Sequence, residues 1–143
     1  MKEHNQDALI SLVRELETRR GAVIALSEAV RWNLTTEIKR LLTGDVNVNG
    51  TTDGGGTPLM CATACVSARL LLEAGADPNA VDLEGATPLI WFCKGLANKS
   101  QASSYITLLL KHSADASIAD HSGKTAFDYA SGKYDDEVMA LLR

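Results

Sequence analysis

The stretch that decides the fold is Gly-Thr-Pro-Leu at 56–59, followed by Leu-Leu-Leu-Glu-Ala-Gly-Ala-Asp-Pro-Asn at 70–79. The same pair returns as Ala-Thr-Pro-Leu at 86–89 with Leu-Leu-Leu-Lys-His-Ser-Ala-Asp-Ala-Ser at 108–117. A third occurrence reads Lys-Thr-Ala-Phe at 124–127, followed by Val-Met-Ala-Leu-Leu-Arg at 138–143. Because two linked motifs recur in one order, the sequence indicates internal structural repeats.

Each part of the repeated unit has a physical role. The threonine hydroxyl can cap the start of a helix, and a proline suits the first helical position. The leucine triplet supplies the apolar stripe of a second helix, and Gly75 stands where that helix must end in a left-handed residue. Residues 76–85 are rich in Asp, Asn and Gly, which predicts a hairpin of turns. The three capping residues are Thr57, Thr87 and Thr125.

These motifs resemble the ankyrin-repeat family, whose consensus of about 33 residues carries Thr-Pro-Leu-His and Gly-Ala-Asp-Val-Asn landmarks. The resemblance covers roughly residues 21–143. It implies an all-α repeat solenoid, one structural domain of about four helix-turn-helix-hairpin units behind an N-terminal capping helix. The predicted segments are the cap at 1–20 and units at 21–51 (degenerate), 52–81 (shortened), 82–119 (with an insertion) and 120–143 (truncated).

Spacing within the units departs from the family, where sixteen residues separate the capping threonine from the first leucine of the triplet. The separation is thirteen from Thr57 to Leu70 and twenty-one from Thr87 to Leu108. We therefore expect a first helix of a single turn around Leu59–Ala64. The segment Lys94–Ser103 is expected to be an insertion, either a solvated mobile connection or an excursion that contacts a partner. Ser113 replaces the glycine of the helix end, which predicts that Ser113→Gly is stabilising.

The N-terminal part carries weaker signals. Apolar residues recur at helical spacing over 5–19, which predicts the capping helix. End units of a solenoid need one polar face, and the charges between these residues supply it. In the first unit, Ile24-Ala-Leu26 stands in the place of Thr-Pro-Leu, and Asp45-Val-Asn47 is expected to echo the Ala-Asp-Val-Asn signature.

The resemblance also implies a function. Ankyrin proteins usually bind partner proteins on a concave face, formed by hairpin tips and the exposed side of the first helices. We expect a non-enzymatic interaction module, an adaptor, inhibitor or effector; a regulatory or stabilising subunit of a larger complex is the alternative. Trp32 is expected either at the interface or packed against the N-terminal helix, and Trp91 in the core. Carried over by position, the candidate partner-binding residues are Arg31, Trp32, Leu83, Glu84, Lys94, His121, Lys124 and Lys133.

Charge and hydropathy restrict the classes of partner that the sequence favours. The net charge is −4, and residues 41–143 hold seven Lys or Arg against twelve acids, which argues against nucleic-acid binding. The acidic residues of the hairpins are expected to accept hydrogen bonds from the backbone of the turns. Any negative charge left over favours a partner with basic character. No run of apolar residues is long enough to span a membrane, and no apolar signal core follows the N-terminus. We expect a cytoplasmic protein that is monomeric on its own, with secretion as an effector into a host cytosol left open.

No set of residues indicates catalysis or a cofactor. Residues 53–56, Asp-Gly-Gly-Gly, lack the Lys-Ser/Thr of a phosphate-binding loop, and the three histidines are scattered. The cysteines Cys61, Cys65 and Cys93 are odd in number and lie in apolar context, which predicts reduced, buried thiols. A small-molecule or metal site built on these thiols is a less favoured alternative to protein binding.

Overall fold

The computed structural model describes residues 2–95 and 99–143, with side chains at 5–95 and 100–143. Within these ranges the chain is helical and contains no strand, as the all-α prediction requires. The helices are α1 Lys2–Arg20, α2 Ala22–Arg31, α3 Thr35–Leu42, α4 Cys65–Glu73, α5 Pro88–Lys94, α6 Lys99–Lys111, α7 Ala126–Ala130 and α8 Asp136–Leu141, with a 3₁₀ turn at Pro58–Cys61.

The helices form two rows. An inner row runs from α2 through the 3₁₀ turn and α5 to α7, and each member contacts the next. An outer row runs in the same way from α3 through α4 and α6 to α8. Buried leucines and isoleucines fill the space between the rows, so each unit shares its apolar surface with its neighbours. The largest fully buried aliphatic residues include Leu26, Leu59 and Leu89 of the inner row and Ile38, Leu71 and Leu109 of the outer row.

All three threonines occupy the residue that precedes an inner element, as predicted. The Oγ1 atom of Thr87 accepts the N–H of Ile90 at 3.2 Å, and that of Thr125 accepts the N–H of Asp128 at 3.4 Å. The predicted cap is wrong for Thr57, whose buried hydroxyl has no hydrogen-bond partner among the described residues. In the tighter 3₁₀ turn, the N–H of Met60 already bonds the Thr57 carbonyl at 3.1 Å.

The shortened second unit has the curtailed inner element that its spacing predicts. Its inner element is a 3₁₀ turn of four residues, whereas α2 has ten and α5 has seven. The chain leaves this turn in an extended conformation at Ala62 and enters the outer helix α4 at Cys65. Cys61 and Cys65 therefore belong to different elements.

The outer helices α4 and α6 end in the same way. Gly75 has φ 96° and Ser113 has φ 71°, so both residues adopt the left-handed conformation expected from the alignment. The N–H of the next residue bonds back into the helix, from Ala76 to the Leu71 carbonyl at 2.9 Å and from Ala114 to the Leu109 carbonyl at 3.0 Å. This is the Schellman arrangement, in which a non-glycine residue carries a conformational cost.

Side-chain amides join successive units behind these helix ends. Asn79 donates from Nδ2 to the Ser113 carbonyl at 2.9 Å and accepts the Asp115 N–H at 2.7 Å. Asn49 makes the same pair of bonds to Gly75 and Asp77, at 3.1 and 2.7 Å. The prediction that Asp45-Val-Asn47 echoes the signature is therefore wrong by two residues, because Asn47-Val-Asn49 occupies that place.

The prediction that Lys94–Ser103 is a solvated mobile connection is wrong for residues 99–103. Residues 99–103 form the start of α6, and Ala102 is fully buried there. Residues 96–98 lie outside the described residues. The extra residues of the third unit thus lengthen its outer helix to thirteen residues, compared with nine in α4.

The hairpins stack through backbone hydrogen bonds between their tips. The N–H of Leu83 donates to the Gly54 carbonyl at 3.3 Å, and the N–H of His121 donates to the Glu84 carbonyl at 2.9 Å. Each hairpin is also closed internally, by the bonds from Asp82 N–H to the Ala86 carbonyl at 3.1 Å and from Asp120 N–H to Lys124 at 2.9 Å. These bonds fix the tips in one continuous row beside the inner helices.

The helix expected over residues 5–19 is present as α1, which contacts α2 and covers the start of the stack. Val13 is the most buried of its described side chains, at 1% exposure. Polar contacts complete the junction, because Arg14 and Arg40 both bond the buried carboxylate of Glu37.

Candidate functional site

The face formed by the hairpin tips and the exposed side of the inner row contains a deep notch. We use "notch" for the space between α2 and α5 where the second inner element is only a 3₁₀ turn. Its volume is about 690 Å³. The lining residues are Ile24, Ser27, Glu28 and Arg31 of α2, Thr52, Gly54 and Gly56 of the hairpin, Met60–Thr63 of the floor, and Trp91, Phe92 and Gly95 of the third unit.

One wall of the notch is a single face of α2. Its lining residues recur at helical spacing from Ile24 to Arg31, so the wall is apolar near the hairpins and charged at the far end. The Nε atom of Arg31 lies 3.5 Å from Oε1 of Glu28, and its Nη2 lies 3.8 Å from Sγ of Cys61. Burial raises the pKa of the Cys61 thiol in spite of the neighbouring guanidinium, so this cysteine is held as a neutral thiol.

Trp91 forms the opposite wall and was missed as a site residue. The prediction that it lies in the core is wrong, because 45% of its surface is exposed. Its indole Nε1 donates to Oδ2 of Asp82 at 2.8 Å, which holds the ring across the inner face of its own hairpin. The next repeat has the same pair, with Asp120 in the place of Asp82 and Tyr129 in the place of Trp91. The Tyr129 hydroxyl also donates to its hairpin aspartate, so this repeated pattern could have revealed the position of Trp91.

The floor of the notch is supported from below by a buried aromatic pair. Phe92 and Tyr105 stack with ring centroids 4.0 Å apart and an interplanar angle of 8°. The Tyr105 hydroxyl donates to the Ala62 carbonyl at 2.9 Å, so the extended segment after the 3₁₀ turn is tied to the outer row. The notch is therefore a fixed feature of the packing and not a gap in a loose loop.

The second part of the concave face is a cluster around Tyr129 on α7. The ammonium groups of Lys94 and Lys124 lie 5.3 and 5.6 Å from its ring centroid, within range of cation–π attraction. The hydrogen bond to Asp120 raises the pKa of Tyr129 to about 12. The same bond, with backbone N–H donors, lowers the pKa of Asp120.

The hairpin tips present two of the predicted residues to solvent. Leu83 is 70% exposed, the most exposed of the large apolar residues that the structure describes. Glu84 lies 3.8 Å from the Lys94 ammonium. His121 lies on the next tip, and its ring packs so closely over Gly85 that an added Cβ there would lie 2.7 Å from Cδ2. These three residues and Lys124 thus lie on one surface.

Lys133 has a structural contact. Its ammonium donates to the carbonyls of Cys93 and Lys94 at 3.1 and 3.2 Å, which satisfies the end of α5. Trp32 follows α2 and is 52% exposed, but it is not among the lining residues of the notch. The adjacent Asn33 contacts the hydroxyl of Ser67 on α4, which places Trp32 at the turn between the inner and outer rows. Its role in binding stays a prediction.

Most hairpin acids are engaged locally, as their role in turns predicts. Asp82 accepts the N–H groups of Glu84 and Ala86, both at 2.9 Å, in addition to the Trp91 indole. Asp120 accepts the N–H groups of Ser122 and Lys124 in the same way. These carboxylates therefore have little capacity left for a basic partner, whatever the net charge of the chain.

Among the described residues, no group of three or more His, Cys, Asp or Glu side chains is arranged to hold a metal ion. Cys93 is buried as expected, whereas Cys61 and Cys65 are only partly buried, and all three are free. Burial raises the pKa of the Cys93 thiol to about 12, which keeps it protonated. The described helices also include none that is long and apolar enough to cross a membrane.

Comparisons with known proteins agree with the geometry. The family model described as ankyrin repeats, in three copies, matches residues 65–143, which is more than half of the chain. The chain is 44% identical over 70 residues to an ankyrin repeat and LEM domain-containing protein 1 homolog of Caenorhabditis elegans, covering 49% of this chain and 9% of that protein.

Two further relatives match longer segments. The mouse ankyrin repeat, SAM and basic leucine zipper domain-containing protein 1 is 33% identical over 106 residues, covering 72% of this chain and 22% of its own. The Xenopus laevis neurogenic locus notch homolog protein 1 is 27% identical over 153 aligned residues, covering 98% of this chain and 6% of its own. The chain thus spans less than a quarter of the length of each of these three relatives.

Proposed function

The chain belongs to the ankyrin-repeat family, and we propose that it is a non-enzymatic interaction module that binds a partner protein on its concave face. The observation that carries this proposal is the notch, an apolar recess of about 690 Å³ beside a continuous row of hairpin tips. Recesses of this size with a few polar groups are typical of binding sites. Ankyrin repeats are in general a protein–protein interaction module, which agrees with this assignment.

Two exposed apolar residues lie on the same face. Leu83 and Trp91 are 70% and 45% exposed there, so a partner could cover apolar surface on both. Tryptophan is enriched among residues that contribute most to binding energy. The free thiols suit a reducing compartment, and we place the protein in the cytoplasm on that ground.

Site-specific photo-crosslinking tests the proposal in the cells that express the protein. Benzoylphenylalanine is introduced at Leu83 on the concave face, and at Leu12 on α1 as a matched control, since Leu12 is also a large exposed residue at 46%. We expect a discrete adduct from position 83 that position 12 does not give. Equal adducts from both positions, or none from position 83, contradict binding on this face.

Point variants provide a second measurement with the identified partner. We expect Leu83→Asp and Trp32→Ala each to abolish capture while the helical circular dichroism spectrum is unchanged, because both side chains are exposed. Leu12→Asp is the matched control and retains capture. If only Trp32→Ala binds normally, the interface includes the hairpin tips and excludes the turn between the rows.

A further inference from the structure

We propose that the notch receives a bulky apolar side chain from a partner segment that also carries a carboxylate for Arg31. This inference rests on the proposed function, because it specifies the chemistry of the partner at the same concave face. It is argued from the size and lining of the notch and from the charges around it.

The notch is large enough to hold a side chain and not only water molecules. Its volume of about 690 Å³ falls within the range of about 300–1,000 Å³ that small-ligand clefts occupy. Ile24, Met60, Phe92 and the exposed ring of Trp91 line it, so an aromatic or large aliphatic side chain would leave water for an apolar surface. The ring of Trp91 also offers a face for aromatic stacking.

The shape has a cause that is particular to this chain. A ten-residue α2 and a seven-residue α5 flank an inner element of only four residues, so the two helices stand higher than the floor between them. The hydrogen bond from Tyr105 to the Ala62 carbonyl holds that floor down. The recess is thus present before a partner arrives, which lowers the ordering cost of binding.

The charges in the lining favour an acid. Arg31 and Glu28 are the charged residues there, and the side chain of Arg31 is 58% exposed against 28% for Glu28. The contacts of Arg31 at 3.5 Å with Glu28 and 3.8 Å with Cys61 are longer than ordinary hydrogen bonds. A guanidinium group has a planar set of donors that a carboxylate matches with two parallel bonds.

The acids near the rim do not favour a basic segment to the same degree. Asp53 and Glu84 are not among the lining residues of the notch, and each lies near a cation, Arg20 at 3.7 Å and Lys94 at 3.8 Å. The carboxylate of Asp82 accepts two backbone N–H groups and the Trp91 indole. Of the two charged residues that line the notch, Arg31 is therefore the more exposed and the one that can donate to a carboxylate, in spite of the net charge of −4.

Selection from a random peptide display library on the intact chain tests this chemistry. We expect the recovered peptides to share an aromatic or large aliphatic residue with an Asp or Glu a few positions away. Thr63 is an exposed lining residue, so the variant Thr63→Trp places a large side chain in the notch. The matched variant Thr36→Trp places the same side chain at an exposed position of α3. Binding should weaken roughly tenfold or more in the first and stay unchanged in the second.

A charge reversal separates recognition by Arg31 from a merely structural role. In Arg31→Glu we expect the acidic peptides to lose roughly tenfold in affinity, and a repeated selection to recover Lys or Arg where Asp or Glu stood. Loss of affinity without this inversion of preference would overturn the assignment of the carboxylate to Arg31. Peptides that bind Thr63→Trp as tightly as the wild type would overturn the notch as the docking place.

Failure of this inference can be told apart from failure of the proposed function. If position 83 crosslinks a partner while the selected peptides ignore Thr63→Trp, the concave face binds and the notch does not. If position 83 gives no adduct, the proposed function itself fails.

Discussion

The Nη2 atom of Arg14 on α1 lies 2.9 Å from Oε1 of Glu37 on α3, so an ion pair joins the capping helix to the first outer helix. The other carboxylate oxygen of Glu37 accepts the Nε–H of Arg40 at 2.9 Å, and Arg40 in turn lies 2.7 Å from Glu17 of α1. The side chain of Glu37 is 1% exposed, whereas those of Arg14 and Arg40 are 61% and 39% exposed. The buried carboxylate of Glu37 thus pairs with two surface guanidinium groups that belong to separate helices.

Removing this charge should loosen the cap. Glu37→Gln keeps the shape but leaves two guanidinium groups with a neutral acceptor, and we expect a loss of about 1–3 kcal/mol in the free energy of unfolding. Hydrogen exchange should rise first in α1. Glu15→Gln is the control, because Glu15 pairs with Arg19 at the surface, and it should cost less than about 0.5 kcal/mol. Equal losses in the two variants would contradict the role assigned to Glu37.

The same carboxylate makes stability depend on acid pH. Burial opposes its ionisation, but the hydrogen bonds from Arg14 and Arg40 outweigh burial and lower the pKa of Glu37 below 4.5. A lowered folded-state pKa contributes stability above the unfolded-state value, and that contribution is lost as pH falls through the folded-state value. The free energy of unfolding of the wild type, measured in urea, should therefore fall below about pH 4.5 more steeply than that of Glu37→Gln. Parallel pH profiles would show that Glu37 does not titrate as described.

Ser113 and Gly75 form a natural pair for testing the left-handed helix end. Ser113→Gly removes the strain of a side chain at φ 71°, and we expect a gain of about 0.5–1 kcal/mol, or a few degrees in the melting temperature. Gly75→Ser should lower stability by a similar amount. No atom lies within 4 Å of a Cβ built at Gly75, so that loss would report conformation and not a clash. An unchanged or lower melting temperature in Ser113→Gly is the contrary result.

The amide of Asn79 tests the joint between the second and third units. Asn79→Ala removes its bonds to Ser113 and Asp115, and we expect a loss of about 1–2 kcal/mol because both groups are partly solvated. Asn49→Ala should cost a similar amount at the preceding joint. Denaturant unfolding measures both losses. The double variant measures the coupling between the two sites, because Asp77 donates its N–H to Asn49 and accepts the N–H of Asn79. A loss under about 0.3 kcal/mol would assign the bonds no role in stability.

The sequence predicted the helical units because their signals are local. A threonine before Pro58 or Pro88 and a leucine triplet specify helix starts and apolar faces without knowledge of the rest of the chain. The short inner element of the second unit followed from spacing in the same way. The sequence also contains the correct register of the first unit. Asn49 precedes Thr57 by eight residues, as Asn79 precedes Thr87, so Asn49 and not Asn47 is the equivalent of Asn79.

The candidate site was harder to predict, because it depends on relations between units. Trp91 takes a core position in the repeat alignment, yet the nearby carboxylate of Asp82 gives its indole an acceptor at the surface. Single positions such as Arg31 and Leu83 could be carried over from the family face. The notch could not, since it depends on three successive inner elements of unequal length.

The short 3₁₀ turn at Pro58–Cys61 has a consequence for how such proteins diversify. In a stack where each unit touches only its neighbours, losing a few residues from one unit disturbs little else and opens a cavity at the surface. Recognition can then change through chain length alone, before any contact residue is replaced. A variation in length in the middle of such an array is therefore a route to a new ligand preference.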